Sequence, residues 1–359
     1  TDAEAVAKIP GVSVVAGTNE KTRIVEFVED FLRSRRSETD GTQGRGARTE
    51  DIHVLSYEEL TEYEEAGGIT SMDSRTRAYI KIQEGCDRFC SYCIIPYARG
   101  KVRSRALKEV TEEARNLVAA GFKEIVLTGI NTALYGQDWK EEDGLSGVEK
   151  AVAAISAIEG DFRIRLSSLE PNVVDEETAR RLTAYPKLCP HMHLSLQSGS
   201  DTVLQRMNRR YDVETYRRIV DVFRQFAPEF AVTTDIIAGF PGETEFEESL
   251  ETIRRIGFSK VHAFKYSMRD GTRAAQMPDQ ISGNVKSLRV ERMMELAERE
   301  ANRFFERNIG KVRQVLFERY DEKTSMLTGF TDNYIHTCCR MPREQGKICE
   351  RIFRRAAEG

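Results

Sequence analysis

The sequence predicts an α/β protein. Its centre is a partial (β/α)6 barrel, with the remnant of an N-terminal α/β domain before it and a small C-terminal β-barrel after it. Three observations carry this. Apolar strand patterns recur six times between residues 78 and 267 with helical patterns between them, an alternation that argues for a parallel sheet with right-handed crossovers. Cys86, Cys90 and Cys93, spaced C-x3-C-x2-C, directly follow the first of those strands, and the carboxyl ends of parallel strands are where such folds put chemistry. After residue 300 the texture changes to short alternating segments with turn residues between them, which suits a small all-β module.

Residues 11–17, GVSVVAG, read as a buried strand. TNEKTRIVEFVEDFL (18–32) reads as a helix capped by Thr18 or Asn19, with Ile24, Val25, Phe27, Val28, Phe31 and Leu32 at helical spacing. One β-α step cannot cover both its faces, so residues 1–35 are expected to be the tail of a larger domain, and residues upstream of Thr1 are expected to be missing. RSRRSETDGTQGRGARTED (33–51) is polar and without period, and a linker is expected over 36–76. Barrel strands are expected at 78–85, 123–129, 162–168, 191–199, 232–242 and 260–267, within a domain spanning 77–284. Helices are expected at 107–121, 214–226 and 245–257. A connecting helix over 285–300 leads to the module at 301–359. His191, His193 and His262 fall in predicted strands and read as packing groups or as supports behind the residues that touch the ligand. The polar signatures TGINTALYG, SSLEP, SLQSGS and AGFPGE each follow one of the later strands, so all converge with the cysteines on one rim.

Composition narrows the class. The chain has 359 residues, 40% hydrophobic and 31% charged, in the range of globular proteins with real cores. No apolar run reaches bilayer length and no signal-peptide pattern is present, so a cytoplasmic protein with no membrane partner is expected. The net charge is −4, yet residues 299–355 hold 13 Lys or Arg against 8 Asp or Glu. Such a local excess on a small β-module marks a nucleic-acid grip or an ordinary charged surface. Seven cysteines, three of them clustered, suggest metal rather than a disulfide framework.

A metal site usually takes four protein ligands, and the cluster offers three. Structural zinc needs a second Cys or His pair nearby; the nearest histidine is His53, and Cys189 stands alone far downstream. Three thiolates hold three corners of a [4Fe–4S] cube. The open fourth iron marks a catalytic rather than a structural site, and S-adenosylmethionine can chelate it and be cleaved by one electron. Tyr92 is the aromatic just before the last cysteine. Thr128, Gly129 and Ile130 form a turn suited to the methionyl amino group. Ser168 and Glu170, then Gln197 and Ser198, are candidates for ribose hydroxyls or the methionyl carboxylate. Gly239 and Gly242 permit close backbone approach to adenine. Each of these signatures also reads as a plain turn or helix cap.

EGCDRFCSYCIIPYARGKVRSR, TGINTALYG, RLSSLEP, HLSLQSGSDTVLQRMNRRY and DIIAGFPGETEFEESLETI resemble the methylthiotransferase branch of the radical-SAM enzymes. Within that branch they resemble the type that converts N6-threonylcarbamoyladenosine, next to the tRNA anticodon, into its 2-methylthio derivative. The likeness covers nearly all of residues 1–355, and TGFTDNYI resembles the family's RNA-binding TRAM β-barrel. Relatives acting on isopentenyladenosine usually show GQNVNSYG and TTSHP where this chain has GINTALYG and SSLEP. Relatives acting on a ribosomal protein share the cysteine pattern; a methylthiotransferase acting on isopentenyladenosine tRNA or on a ribosomal protein stays as an alternative, as does a non-catalytic iron–sulfur RNA-binding protein.

The resemblance implies one S-adenosylmethionine to methylate a sulfur and a second to yield the adenosyl radical that abstracts hydrogen from C2 of the adenine. It implies a flavodoxin- or ferredoxin-like electron donor and no DNA partner. It also implies a second [4Fe–4S] cluster, held by three N-terminal cysteines that this sequence lacks. This chain is therefore expected to cleave S-adenosylmethionine and bind tRNA, and to need an upstream segment to finish the transfer. Arg99, Lys101, Arg103 and Arg105 after the cysteines, and Arg206, Arg209 and Arg210 after the fourth strand, are candidates for phosphate contact; Arg209 or Arg210 is a candidate for a carboxylate instead.

Overall fold

The computed structural model describes residues 2–37, 51–65, 76–139, 144–340 and 348–352. Residues 38–50 and 66–75 of the expected linker, and 341–347 and 353–359 of the C-terminal module, lie outside the described residues.

The N-terminal unit holds α1 (Ala3–Ala7), β1 (Val15–Ala16), a 3-10 turn (Lys21–Arg23) and α2 (Ile24–Ser37). The strand is shorter than expected, and neither Thr18 nor Asn19 caps the helix. Glu64 takes that role from outside, accepting hydrogen bonds from the Thr22 N–H and hydroxyl. Glu64 belongs to the stretch read as linker, which is structured where it is described. Its β2 (Ile52–His53) pairs in parallel with β1, and the His53 ring stacks on buried Phe27 at 3.9 Å. Leu60 is buried and the Tyr63 hydroxyl donates to the Lys81 carbonyl. A few apolar side chains spaced through polar sequence are enough to fold this stretch against its neighbours.

The barrel strands follow in order: β3 (Arg77–Glu84), β5 (Glu124–Gly129), β6 (Arg163–Leu166) continued by β7 (Ser168–Leu169), β8 (His191–Leu194), β9 (Ala231–Ala238) and β10 (Lys260–Lys265). All pair in parallel in chain order. A two-residue strand, β4 (Arg103–Ser104), lies antiparallel along the β3 edge. The sheet is a curled half-barrel that bends at Ser167, where β6 gives way to β7 and the ladder divides into two four-stranded halves. Helices α4 (Leu107–Ala119), α5 (Gly147–Ser156), α6 (Glu176–Leu182), α8 (Val213–Phe226) and α9 (Phe246–Ile256) cover the outer face. Alternation sorts the side chains. In β8, Met192 and Leu194 join the apolar core beneath the helices, while His191 and His193 hydrogen-bond Thr233 across the inner face.

The connecting helix α10 (Gly283–Asn308) outruns its expected end at 300. Beyond it, β11 (Val312–Asp321), β12 (Met326–Thr331), β13 (His336–Arg340) and β14 (Ile348–Ile352) form an antiparallel sheet in the order β13-β12-β11-β14. This sheet docks on the amino ends of the barrel strands. Glu124, fully buried at the start of β5, is gripped by Arg77 at 2.9 Å, Arg163 at 2.6 Å and Arg165 at 2.9 Å. Those arginines then reach across: Arg163 donates to the Phe330 carbonyl, Arg165 to those of Thr331 and Asp332, and Arg77 pairs with Glu318. The Arg165 guanidinium also lies 4.5 Å from the Tyr334 ring centroid. Burial alone favours a neutral Glu124, but the three arginines hold its carboxyl far below the usual carboxylate range.

Replacing Glu124 with Gln leaves three buried guanidinium groups short of their counter-charge. The expected loss is about 3–5 kcal/mol, read as a fall in the urea midpoint together with earlier exposure of the C-terminal sheet to protease. An unchanged midpoint contradicts this role for Glu124.

Candidate active site

The chemistry-bearing loop begins where β3 ends. Gly85 stands at φ +71°, and a Cβ there would lie 1.7 Å from the Lys101 carbonyl oxygen. The Cys86 N–H donates to the Gly100 carbonyl, which ties the loop to the end of α3 (Ile95–Arg99). On its far side the Ser91 N–H and hydroxyl donate to the Met207 and Arg206 carbonyls at 3.0 and 2.8 Å, just past α7 (Asp201–Arg206). The Ala274 N–H donates to the Ser91 carbonyl at 2.7 Å, and Asn208 donates to the Phe89 carbonyl at 2.9 Å. Gln83, fully buried, donates to the Glu84 and Gly85 carbonyls and accepts from the Asn131 N–H. A Cβ at Gly129 would strike this glutamine side chain, with its amide oxygen 2.9 Å away.

The three thiols stand on one cavity of about 220 Å³. Arg88, Tyr92 and Ile95 share the loop side; Ile130 and Asn131 follow β5; Ser168, Leu169 and Glu170 come from the β7 end; Ser195, Gln197 and Arg209 follow β8; and Asp235 comes from β9. Of the residues expected here, Cys86, Cys90, Cys93, Tyr92, Ile130, Ser168, Glu170 and Gln197 are brought together. Gln197 is held at φ +68° by its N–H to the Asp235 carbonyl and its carbonyl to the Ile237 N–H. The Ser168 and Ser195 hydroxyls bond each other at 2.7 Å.

Several expected residues serve other ends. Thr128 pairs within the sheet, and the buried Ser198 hydroxyl accepts from the Ser200 N–H as a turn cap. The Gly239 N–H donates to Glu243, which Arg289 also holds, so the AGFPGE turn is closed by its own partners. Arg103 is 1% exposed and donates to the Arg99 and Lys101 carbonyls; it builds the loop's floor and is not open to phosphate. Arg105 is buried against Glu65 and Glu113, and Arg206 pairs with Glu245 at 3.0 Å. Arg210 and Lys101 are exposed and Arg99 is half-buried. Arg209, a candidate for phosphate or for a carboxylate, sits in the cavity wall and faces no open phosphate path. It donates to the Cys90 sulfur at 3.2 Å and the Ser195 carbonyl at 3.1 Å, and its Nη1 lies 3.7 Å from Glu170.

Sequence reasoning missed Arg88, Asn131, Ser195 and Asp235. Asn131 donates to Glu170 at 2.7 Å, and the Arg88 Nε lies 3.3 Å from the same carboxylate. Asp235 meets the His193 Nε2 at 3.1 Å. Asn131 directly follows the Thr128-Gly129-Ile130 turn and was findable by extending it one residue. Arg88 lies inside the cysteine spacer, where no pattern marks it.

The family model described as the Radical SAM superfamily matches residues 80–256. Threonylcarbamoyladenosine tRNA methylthiotransferase MtaB of Bacillus subtilis is 39% identical over 337 residues, covering 92% of this chain and 70% of that protein. The MtaB protein of Thermotoga maritima is 38% identical over 332 residues, covering 92% and 71%. This chain belongs to the MtaB-type radical-SAM methylthiotransferases. A tRNA-2-methylthio-N(6)-dimethylallyladenosine synthase of Caldicellulosiruptor saccharolyticus is also similar, 36% identical over 332 residues, covering 92% of this chain and 66% of that protein.

Radical-SAM methylthiotransferases use a [4Fe–4S] cluster and S-adenosylmethionine, and the residues fit both. Among the described residues no three His, Cys, Asp or Glu side chains converge as a single-ion site does; the thiols stand around a cavity instead. Burial pushes the Cys86 thiol up to about 12 and raises Cys93 as well, so their thiolates need a positive body beside them. The cavity wall also carries an unsatisfied Asn131 Oδ1, an acceptor left for a polar occupant.

Gly85→Ala is expected to cut iron incorporation several-fold on anaerobic reconstitution, because the added carbon collides with the Lys101 carbonyl. Gly121→Ala is the control: it has positive φ too, but open space around it, and should bind iron like the parent. Equal iron in both variants contradicts a loop shaped by Gly85.

Proposed function

We propose that this chain converts N6-threonylcarbamoyladenosine next to the tRNA anticodon into its 2-methylthio derivative. The observation that carries the proposal is one cavity holding three thiols, a carboxylate between two guanidinium groups, and polar side chains from four successive strand ends. When bound through Cys86, Cys90 and Cys93, the cluster and S-adenosylmethionine supply one-electron cleavage of a C–S bond.

The chain's own residues bind and orient. Arg88 and Arg209 flank Glu170, so the wall offers both signs of charge to a zwitterionic amino-acid group. The Tyr211 hydroxyl shares its one proton between the Ser195 and Leu196 carbonyls and accepts from the Arg209 Nε, which fixes the guanidinium against Cys90. Burial keeps the Tyr92 phenol neutral. Gln197 presents its side chain from a backbone held in place by β9. Asp235 and His193 give the inner wall a polar face toward the substrate side.

The surrounding parts fit a tRNA enzyme. Lys101 and Arg210 remain as exposed cations near the cysteine loop, with half-buried Arg99, 3.7 Å from Glu84, beside them. Residues 1–35 read as the tail of an N-terminal methylthiotransferase domain, and the antiparallel sheet from Val312 as a TRAM-like RNA-binding module. No helix among the described residues is long and apolar enough to cross a membrane, and a tRNA substrate puts the enzyme in the cytoplasm beside a flavodoxin- or ferredoxin-like donor.

The test follows hydrogen rather than sulfur. Reconstituted protein is reduced with tRNA carrying threonylcarbamoyladenosine deuterated at adenine C2. Deuterium is expected in the 5′-deoxyadenosine formed, and Cys90→Ser should form none. Unlabelled 5′-deoxyadenosine alone, or label only from tRNA carrying isopentenyladenosine, contradicts the proposed substrate.

A further inference from the structure

The loop that carries the thiols also displays an aromatic ring it has every reason to bury. Phe89 adjoins Cys90, holds φ +48° and is 39% exposed. A bulky residue in left-handed backbone is strained by about 1–3 kcal/mol, and folding does not recover that cost by burying the ring. The Asn208 amide donates to the Phe89 carbonyl and so fastens this stretch of backbone from outside the loop. Beside it stands Tyr97 of α3, 58% exposed, with ring centroids 5.6 Å apart and edge-to-face. Cations lie on the same elements: Arg99 on α3, exposed Lys101 just after it, and exposed Arg210 two residues past the clamping Asn208.

We infer that Phe89 and Tyr97 form a stacking platform for an unpaired base of a single-stranded RNA loop. Arg99, Lys101 and Arg210 take its phosphates. Aromatic faces flanked by Arg and Lys are the usual means of holding a splayed base. The position beside Cys90 makes this base a neighbour of the one being modified. The inference rests on the tRNA reading above and adds the residues that hold the loop.

The experiment measures binding of a labelled anticodon stem-loop to reconstituted protein by fluorescence anisotropy over a range of salt. Tyr97→Ala and Phe89→Ala should each weaken binding about tenfold, as loss of one base stack does, with an unchanged salt slope. Tyr97→Phe and Phe89→Trp should bind like the parent. Lys101→Gln should instead flatten the salt slope. Iron content and melting temperature, recorded for each variant, separate lost stacking from a damaged loop. If the parent binds the RNA and the alanine variants bind it equally well, the platform is overturned while the tRNA reading stands. The platform is likewise overturned if affinity falls only in step with iron content. If alanine variants change oligomeric state rather than RNA affinity, the rings serve a protein contact and the inference fails. If the parent binds no RNA, both readings fall.

Discussion

Everything at the site depends on how the loop from Gly85 to Cys93 is fastened. The loop carries its thiols outside any helix or strand, so secondary structure does not hold it. Its polar backbone groups are satisfied from elsewhere: by Gly100 at one end, by Met207 and Ala274 around Ser91, and by the side chains of Gln83 and Asn208. Buried backbone groups demand partners, and here that demand draws together chain segments more than a hundred residues apart. The thiols face one space because the loop has few other ways to meet it.

The two ends of the half-barrel divide the labour. Carboxyl ends of the strands carry thiols, acid and guanidinium around an open cavity. Amino ends carry Glu124 with its three arginines, and these direct their remaining donors to carbonyls of the C-terminal sheet. A buried ion cluster is weak evidence for net stability, since desolvation offsets much of the attraction. It does help fix where the sheet sits, because the leftover donors are met by the carbonyls of Phe330, Thr331 and Asp332. The C-terminal sheet is thus anchored at the end opposite the chemistry.

Much of this was legible in the sequence, for physical reasons. Six apolar strand patterns marked the sheet because period-two burial leaves a strong trace. The cysteine spacing marked the loop because few other roles call for thiols so close together. Charge was the poor guide. Arg103, Arg105 and Arg209 looked like surface cations and are buried, each against carbonyls or carboxylates that sequence does not place. Ser198 and Gly239 looked like ligand contacts and are satisfied locally, as their plain reading as turns allowed. Arg88 and Asn131 were missed because their partner, Glu170, comes from another strand. Contacts between strand ends depend on register and curl, which local pattern does not encode.

The central claim is that three protein thiolates leave one iron of the cluster for S-adenosylmethionine. Among the described residues, those lining the cavity include no fourth cysteine and no histidine, and its two carboxylates are already engaged, Glu170 by Asn131 and Arg88 and Asp235 by His193. Electron–nuclear double resonance on the reduced, reconstituted protein, with S-adenosylmethionine carrying ¹⁵N in its methionyl amino group, tests this most directly. Hyperfine coupling between that nitrogen and the cluster is the predicted result. A cluster that forms fully and shows no such coupling contradicts the account.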